Sequence, residues 1–230
     1  PPDISLPTTC RREFGTMGWL GENTKGDVYA ITAAHVVGFV YPPLPSKALL
    51  EGEHCALSFD GKAIACQVPS GQPPDLVPAS IRNSDGCIVD VAALRLCYPP
   101  HTPEPVIVPD MVDLQDFLGQ SAYILVERDG QPMTCPGTVE TILAPSTTTI
   151  NGEETSLPSL LMLRFRDERT TERGDSGAPV LARRNDQLYL LGFHFVEVER
   201  TSGQPDFRTA SYSIPAHTAL RFLKLKPFAS

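Results

Sequence analysis

The sequence has no apolar run approaching the roughly 18 residues that a membrane-spanning helix requires, so no helical membrane anchor is expected. It has no basic cluster either. Its 19 Lys and Arg are scattered among 27 Asp and Glu, a formal net charge of −8, which argues against a nucleic-acid surface and leaves a protein or peptide as the expected partner. Cysteine and histidine never fall at the spacing of a zinc site, and neither a metal nor an organic cofactor is expected. The first residues, Pro1-Pro2-Asp3-Ile4-Ser5, lack the basic and apolar regions of a secretory signal and do not start with Met. The chain is therefore expected to be part of a larger polypeptide.

No repeat period organises the 23 prolines and 17 glycines. With aliphatic runs between them they fit many short strands joined by turns, and 230 residues, 41% of them hydrophobic, can bury a sizeable core as one large or two small domains. The class is mainly β. Strands are expected over 14–20 and 26–31, over 56–59 and 62–66 around an Asp60-Gly61 turn, and over 88–96. Further strands are expected over 121–127 and 136–143 around Arg128-Asp129-Gly130, over 160–165, and over 178–182 and 188–195 around Arg184-Asn185-Asp186. Four prolines within 98–105 preclude regular pairing and mark the boundary between two halves, 1–104 and 105–230. The apolar residues of 217–224 fall on one face of a helix.

Chemistry concentrates in three stretches. Gly174-Asp175-Ser176-Gly177-Ala178-Pro179 sets one serine among small residues. A serine hydroxyl is a weak nucleophile at neutral pH, so it needs a base to take its proton and donors to hold the oxyanion its attack creates. Glycine at 174 lets the amides of Gly174 and Ser176 point at one spot. Upstream, Thr32-Ala33-Ala34-His35 follows an apolar strand and offers a base. Asp90 begins Asp90-Val91-Ala92-Ala93-Leu94, and a lone carboxylate in so apolar a run is costly to bury unless something bonds to it. His35 is the natural donor. The competing acid, Asp85, stands in Asn83-Ser84-Asp85-Gly86 and reads more simply as a turn residue.

In the order His35, Asp90, Ser176, and with these local contexts, the chain resembles the chymotrypsin-like (trypsin-fold) serine proteases over about residues 14–225. It departs from the family's usual pattern at Ala178, where a second glycine commonly follows. The resemblance implies two six-stranded antiparallel β-barrels with the active site in the cleft between them, and a C-terminal helix. It also implies a catalytic set of His35, Asp90 and Ser176, an oxyanion hole from the amides of Gly174 and Ser176, and an acyl-enzyme route. The chain lacks the Ile-Val-Gly-Gly start whose ammonium, in zymogen-activated members, pairs with the aspartate before the serine. Asp175 must find another partner or need none, so a constitutively formed site or a different switch is expected. Val36 and Glu172 also stand where secreted animal members place cysteines. The six cysteines, at 10, 55, 66, 87, 97 and 135, therefore read as reduced thiols in an intracellular setting, although their number would permit three disulfides.

In this family the residues six and five before the serine, here Thr170 and Thr171, form walls of the primary specificity pocket. Thr170 cannot pair with Lys or Arg as an aspartate there would. His194, two residues after Gly192, resembles the Gly-x-His of glutamyl endopeptidases and of proteases from positive-strand RNA viruses. With Thr171 it can donate two hydrogen bonds to a carboxylate or carboxamide, and Arg173 at the pocket mouth adds a positive field. Cleavage after Glu is expected, with Gln second and Asp third. The competing readings are a strand histidine satisfied by backbone for His194, and a catalytically inert protease-fold binding or scaffold module for the whole chain. An α/β-hydrolase is opposed by the order of the triad. His54, His101 and His217 read as surface or capping groups, and 164–169 as a solvated charged ribbon.

Overall fold

Val28–Thr32 (β2) is buried on both faces, and the other elements of the N-terminal half assemble around it. In the computed structural model, which describes residues 15–37, 55–59, 62–66, 76–77, 81–96, 104–128, 131–150, 153–165, 170–198 and 209–228, Trp19–Glu22 (β1) pairs antiparallel with β2. The turn joining them is held by Asn23, whose side-chain oxygen accepts from the amides of Lys25 and Asp27. After β2 a short 3-10 turn, Ala34–Val37, carries His35. Cys55–Phe59 (β3) and Lys62–Cys66 (β4) form the expected hairpin, and Leu76–Val77 (β5) and Ala92–Arg95 (β6) complete this half. Among the described residues it is a five-stranded sheet of β5, β6, β2, β1 and a strand from the far end of the chain, with β3–β4 as a separate hairpin.

The C-terminal half closes on itself. Val106–Ile107 (β7) and a 3-10 turn at Asp113–Phe117 precede Ser121–Arg128 (β8), Gln131–Leu143 (β9), a hairpin of Ser146–Ile150 (β10) and Glu153–Leu157 (β11), and Leu160–Phe165 (β12). Pro179–Arg184 (β13), Gln187–Val198 (β14) and Ala210–Pro215 (β15) follow. The order β13-β8-β9-β12-β15-β14 returns to β13 through an additional pairing, which makes a closed six-stranded antiparallel barrel, with β7 added in parallel to β14. Helix α1, Ala216–Leu223, packs on the barrel, and Lys226–Pro227 (β16) crosses back to pair with β1. No helix among the described residues is long and apolar enough to cross a membrane.

Alternation sets what fills the barrel. Along β8 the even positions Ala122, Ile124 and Val126 are buried, and they meet Val139 of β9, Leu161 and Leu163 of β12, and Val180 of β13 in one cluster. A second cluster crosses the halves: Ile31, Val89, Val91 and Leu94 pack with Phe193, Phe195, Tyr212 and Ile214. Removing a buried Phe from such a seam typically costs about 3–5 kcal/mol. That shared core ties the segments around His35 and Asp90 to the strand that carries His194.

The mainly β architecture and terminal helix match the sequence reading, with differences: the strand expected over 14–20 is found at Trp19–Glu22, and the short β5, β7 and β16 are additional. β9 starts at Gln131 rather than at 136, despite Pro132 and Pro136; residues 131–136 pair only with β8, so the prolines meet an open edge where no amide is required. The regular strand expected over 88–96 is shortened to β6, because residues 88–91 leave the ladder to present Asp90. The β10–β11 hairpin and β15 are further strands. The Asp60-Gly61 and Asp129-Gly130 turns, the N-terminal segment, His54, His101 and most of the expected connector and charged ribbon lie outside the described residues.

Candidate active site

Asp90 is held from several directions before it meets its partner. The amide of Val89 donates to the Ile81 carbonyl at 2.8 Å, Val91 donates to Val89 at 2.8 Å, and Ile88 donates to Ser156 of β11 at 2.8 Å. These bonds lift the segment out of regular pairing and turn the carboxylate inward, where its side chain is wholly buried. There His35 meets it twice. The His35 backbone N–H donates to Oδ1 at 3.0 Å, and ring Nδ1 lies 2.6 Å from Oδ2. A buried carboxylate accepts but cannot donate, so Nδ1 carries the proton and Nε2 is left as the ring's acceptor. Asp85 sits at the exposed tip of a turn organised by Asn83, whose side-chain oxygen takes the amides of Asp85 and Cys87.

The serine loop is packed against Thr16 and the end of β2, just before His35. Gly177 has φ of +91°, and a Cβ there would stand 2.5 Å from Thr32 Oγ1 and 2.7 Å from the Ala33 nitrogen, so only glycine lets Ser176 approach the segment that ends in His35. Thr16 binds both sides of the loop, its amide donating to the Ser176 carbonyl at 3.0 Å and its hydroxyl to the Gly174 carbonyl at 3.1 Å. Within the loop the amides of Asp175, Gly177 and Ala178 donate to the carbonyls of Glu172, His194 and Asp175. Among the described residues the amides of Gly174 and Ser176 have no acceptor. Gly174, at φ +106°, and Ser176 are both half-buried.

Asp175 has a partner that the sequence reading did not identify. Arg128, at the end of β8, donates through Nη2 to Asp175 Oδ2 at 2.7 Å and to the Thr170 carbonyl at 2.8 Å, and through Nη1 to Glu172 at 2.9 Å. The Glu172 amide donates to the same Asp175 oxygen at 2.7 Å. Burial works against the charge of Arg128, but its hydrogen bond to Asp175 and the nearby acids more than offset this and raise its pKa. Cys135, beneath this cluster, donates to the Thr170 carbonyl at 3.3 Å, and burial pushes its thiol up to about 11. It is free, as is half-buried Cys87.

Of the expected pocket residues, two are buried. His194 is buried on β14, its backbone tied to Ala178 and Gly177, and its Nδ1 lies 2.7 Å from the hydroxyl of buried Ser211 on β15, which in turn lies 3.3 Å from Ser213. Its side-chain partner is therefore a hydroxyl rather than backbone. Burial, reinforced by the charge of His35, pulls the His194 pKa down to about 3, so this ring is neutral at pH 7. Thr171 is buried, and its hydroxyl donates to the carboxylate of Glu197. Thr170 is half-buried, Arg173 is exposed, and His217 is half-buried on α1. Arg128, Glu197, Ser211, Ser213 and Thr16 are the site residues that no local motif flags.

No family model and no curated protein matches the chain. Solved structures do. The NS6 protease of murine norovirus matches with a TM-score of 0.43 and 16% identity over 92% of this chain and 95% of that one. The Nocardiopsis protease NAPase matches at 0.47 and 12% over 95% and 99%, and the MamO protease domain from Magnetospirillum magneticum at 0.45 and 16% over 90% and 84%. Each of these three proteins is a protease, and each is similar to this chain at 12–16% identity.

Proposed function

We propose that the protein is a serine endopeptidase. The observation that carries this reading is the doubly bonded, wholly buried Asp90 on His35, beside a serine loop held by its own ion pair. Nε2 of His35 takes the proton of Ser176 as the hydroxyl oxygen attacks a peptide carbonyl carbon. Asp90 keeps the ring in the tautomer that can do so, and stabilises the imidazolium once formed. The negative charge that develops on the carbonyl oxygen is received by the amides of Gly174 and Ser176, each worth about 3–4 kcal/mol by comparison with donors in similar sites. The imidazolium returns the proton to the departing amine, and water then attacks the ester by the same route in reverse. The two halves, 1–104 and 105–230, supply the base pair and the serine with its pocket respectively. No step calls for a metal or an organic cofactor.

The pocket of Thr170, Thr171, Arg173 and His194 suits substrates whose side chain before the scissile bond ends in a carboxylate or carboxamide, the set Glu, Gln and Asp. A fluorophosphonate probe followed by peptide mapping tests the reaction. Modification of Ser176 that disappears in Ser176→Ala is the expected result. A wild-type protein that stays unmodified at every pH at which it is folded is instead an inert binding or scaffold module.

A further inference from the structure

β14 and β15 place four polar side chains on one face of their ladder. His194 stands opposite Ser213 and Glu197 opposite Ser211, and cross-strand partners share a face. His194, Ser211 and Ser213 are buried, and so is Thr171, which reaches Glu197 from the serine loop. The same small volume thus holds the two buried residues of the pocket, His194 and Thr171, and an additional carboxylate.

Counting protons decides what this volume can recognise. A threonine hydroxyl has one proton, and that of Thr171 is given to Glu197. Towards a substrate, Thr171 and Glu197 can then only accept. Ser213 can donate to Ser211 and Ser211 to His194 Nδ1, a relay that leaves the single ring proton on Nε2. The buried part of the pocket offers one donor, on His194, and acceptors on Thr171 and the adjoining Glu197, whereas Thr170 is only half-buried and Arg173 exposed. A carboxamide has the matching pair, a carbonyl oxygen to accept and an amino group to donate. A carboxylate has two acceptors and sets one of them against oxygens of its own kind, with no positive charge on the neutral His194 to offset the contact. Leaving a buried polar group opposite a like group is what makes such sites discriminate.

We propose that Glu197 is a specificity-determining residue which, through Thr171, makes the primary pocket select a carboxamide, so that cleavage follows Gln in preference to Glu or Asp. This rests on the endopeptidase reading above and narrows it.

The test uses four peptides identical except for Gln, Glu, Asn or Asp before the scissile bond, with active sites counted by fluorophosphonate labelling in each preparation. The expected result is a kcat/KM at least ten-fold higher for Gln than for Glu. In Glu197→Gln, whose amide both donates and accepts, that ratio falls at least ten-fold, and Thr171→Val, which removes the bridging hydroxyl, lowers it in the same direction. Labelled wild-type protein that cleaves the Gln peptide no faster than its Glu twin, or not at all, overturns the assignment whether or not either variant folds. A ratio unmoved in folded, labelled Glu197→Gln overturns it too. Protein that never labels fails the endopeptidase reading itself, a result distinct from either.

Discussion

Two histidines share the field of one cleft, and their surroundings are opposite. His35 lies against a buried carboxylate that fixes its proton on Nδ1 and stabilises the imidazolium a second proton would form, whereas the Nδ1 of buried His194 lies against the hydroxyl of Ser211. The side chain is the same. The partner decides whether it is built to take up a proton or to stay neutral and read a neighbour. Each position can be tested by giving it the surroundings of the other.

The largest expected effect comes from removing the carboxylate. Asp90→Asn keeps the shape but lets the ring adopt the wrong tautomer, so kcat on the preferred peptide should fall about 10⁴-fold. A loss of less than ten-fold, with active sites counted by labelling, breaks the comparison at its first member.

Next is the ion pair that holds the serine loop. Arg128→Met strands a nearly buried Asp175 carboxylate, and urea denaturation should register a loss of about 3–5 kcal/mol. The companion change Asp175→Asn in the same chain should recover part of it. Unchanged stability in the single variant would mean that the loop is ordered by something other than this pair.

His194→Asn comes third. It keeps a polar group but misplaces the donor, so kcat/KM on the best peptide should fall about 100-fold while Ser176 still labels. Equal losses in cleavage and labelling would move His194 from reader to part of the reacting machinery.

The last effect is on stability against pH. The His194 pKa is pulled from 6.5 to about 3 in the fold, so between those values the unfolded chain binds a proton that the native state refuses. Its contribution to stability is fully present above pH 6.5 and is lost as the pH falls towards 3, with a slope of up to about 1.4 kcal/mol per pH unit. His194→Asn should unfold with a shallower pH dependence over that window, by one proton. Identical slopes would show that the wild-type ring gains its proton while folded.

How much of this could be read from the sequence follows from how far apart the partners lie. His35, Asp90 and Ser176 each sit in a short stretch whose neighbours announce them, and β12 was readable because Leu160, Leu161, Met162 and Leu163 form one buried apolar run. Arg128 reads locally as a turn residue before Asp129-Gly130, and only the fold brings it to Asp175, 47 positions away. Glu197 lies 26 positions from Thr171, and Ser211 lies 17 from His194 on a strand whose serines mask its alternation. The β10–β11 hairpin left a usable signal, Asn151-Gly152 between threonine-rich segments, which is a common two-residue hairpin connection. Composition could not supply the rest, since these contacts depend on which distant residues the fold brings together.

The most direct test is long-range nitrogen NMR of the imidazoles across a pH titration, with His194→Asn and His35→Asn used for assignment. The account predicts that the His35 ring keeps its Nδ1 proton throughout, and that the His194 ring shows a neutral pattern with the proton on Nε2 down to about pH 4. A His194 ring that becomes an imidazolium near pH 6.5, or that carries its proton on Nδ1 when neutral, would contradict it.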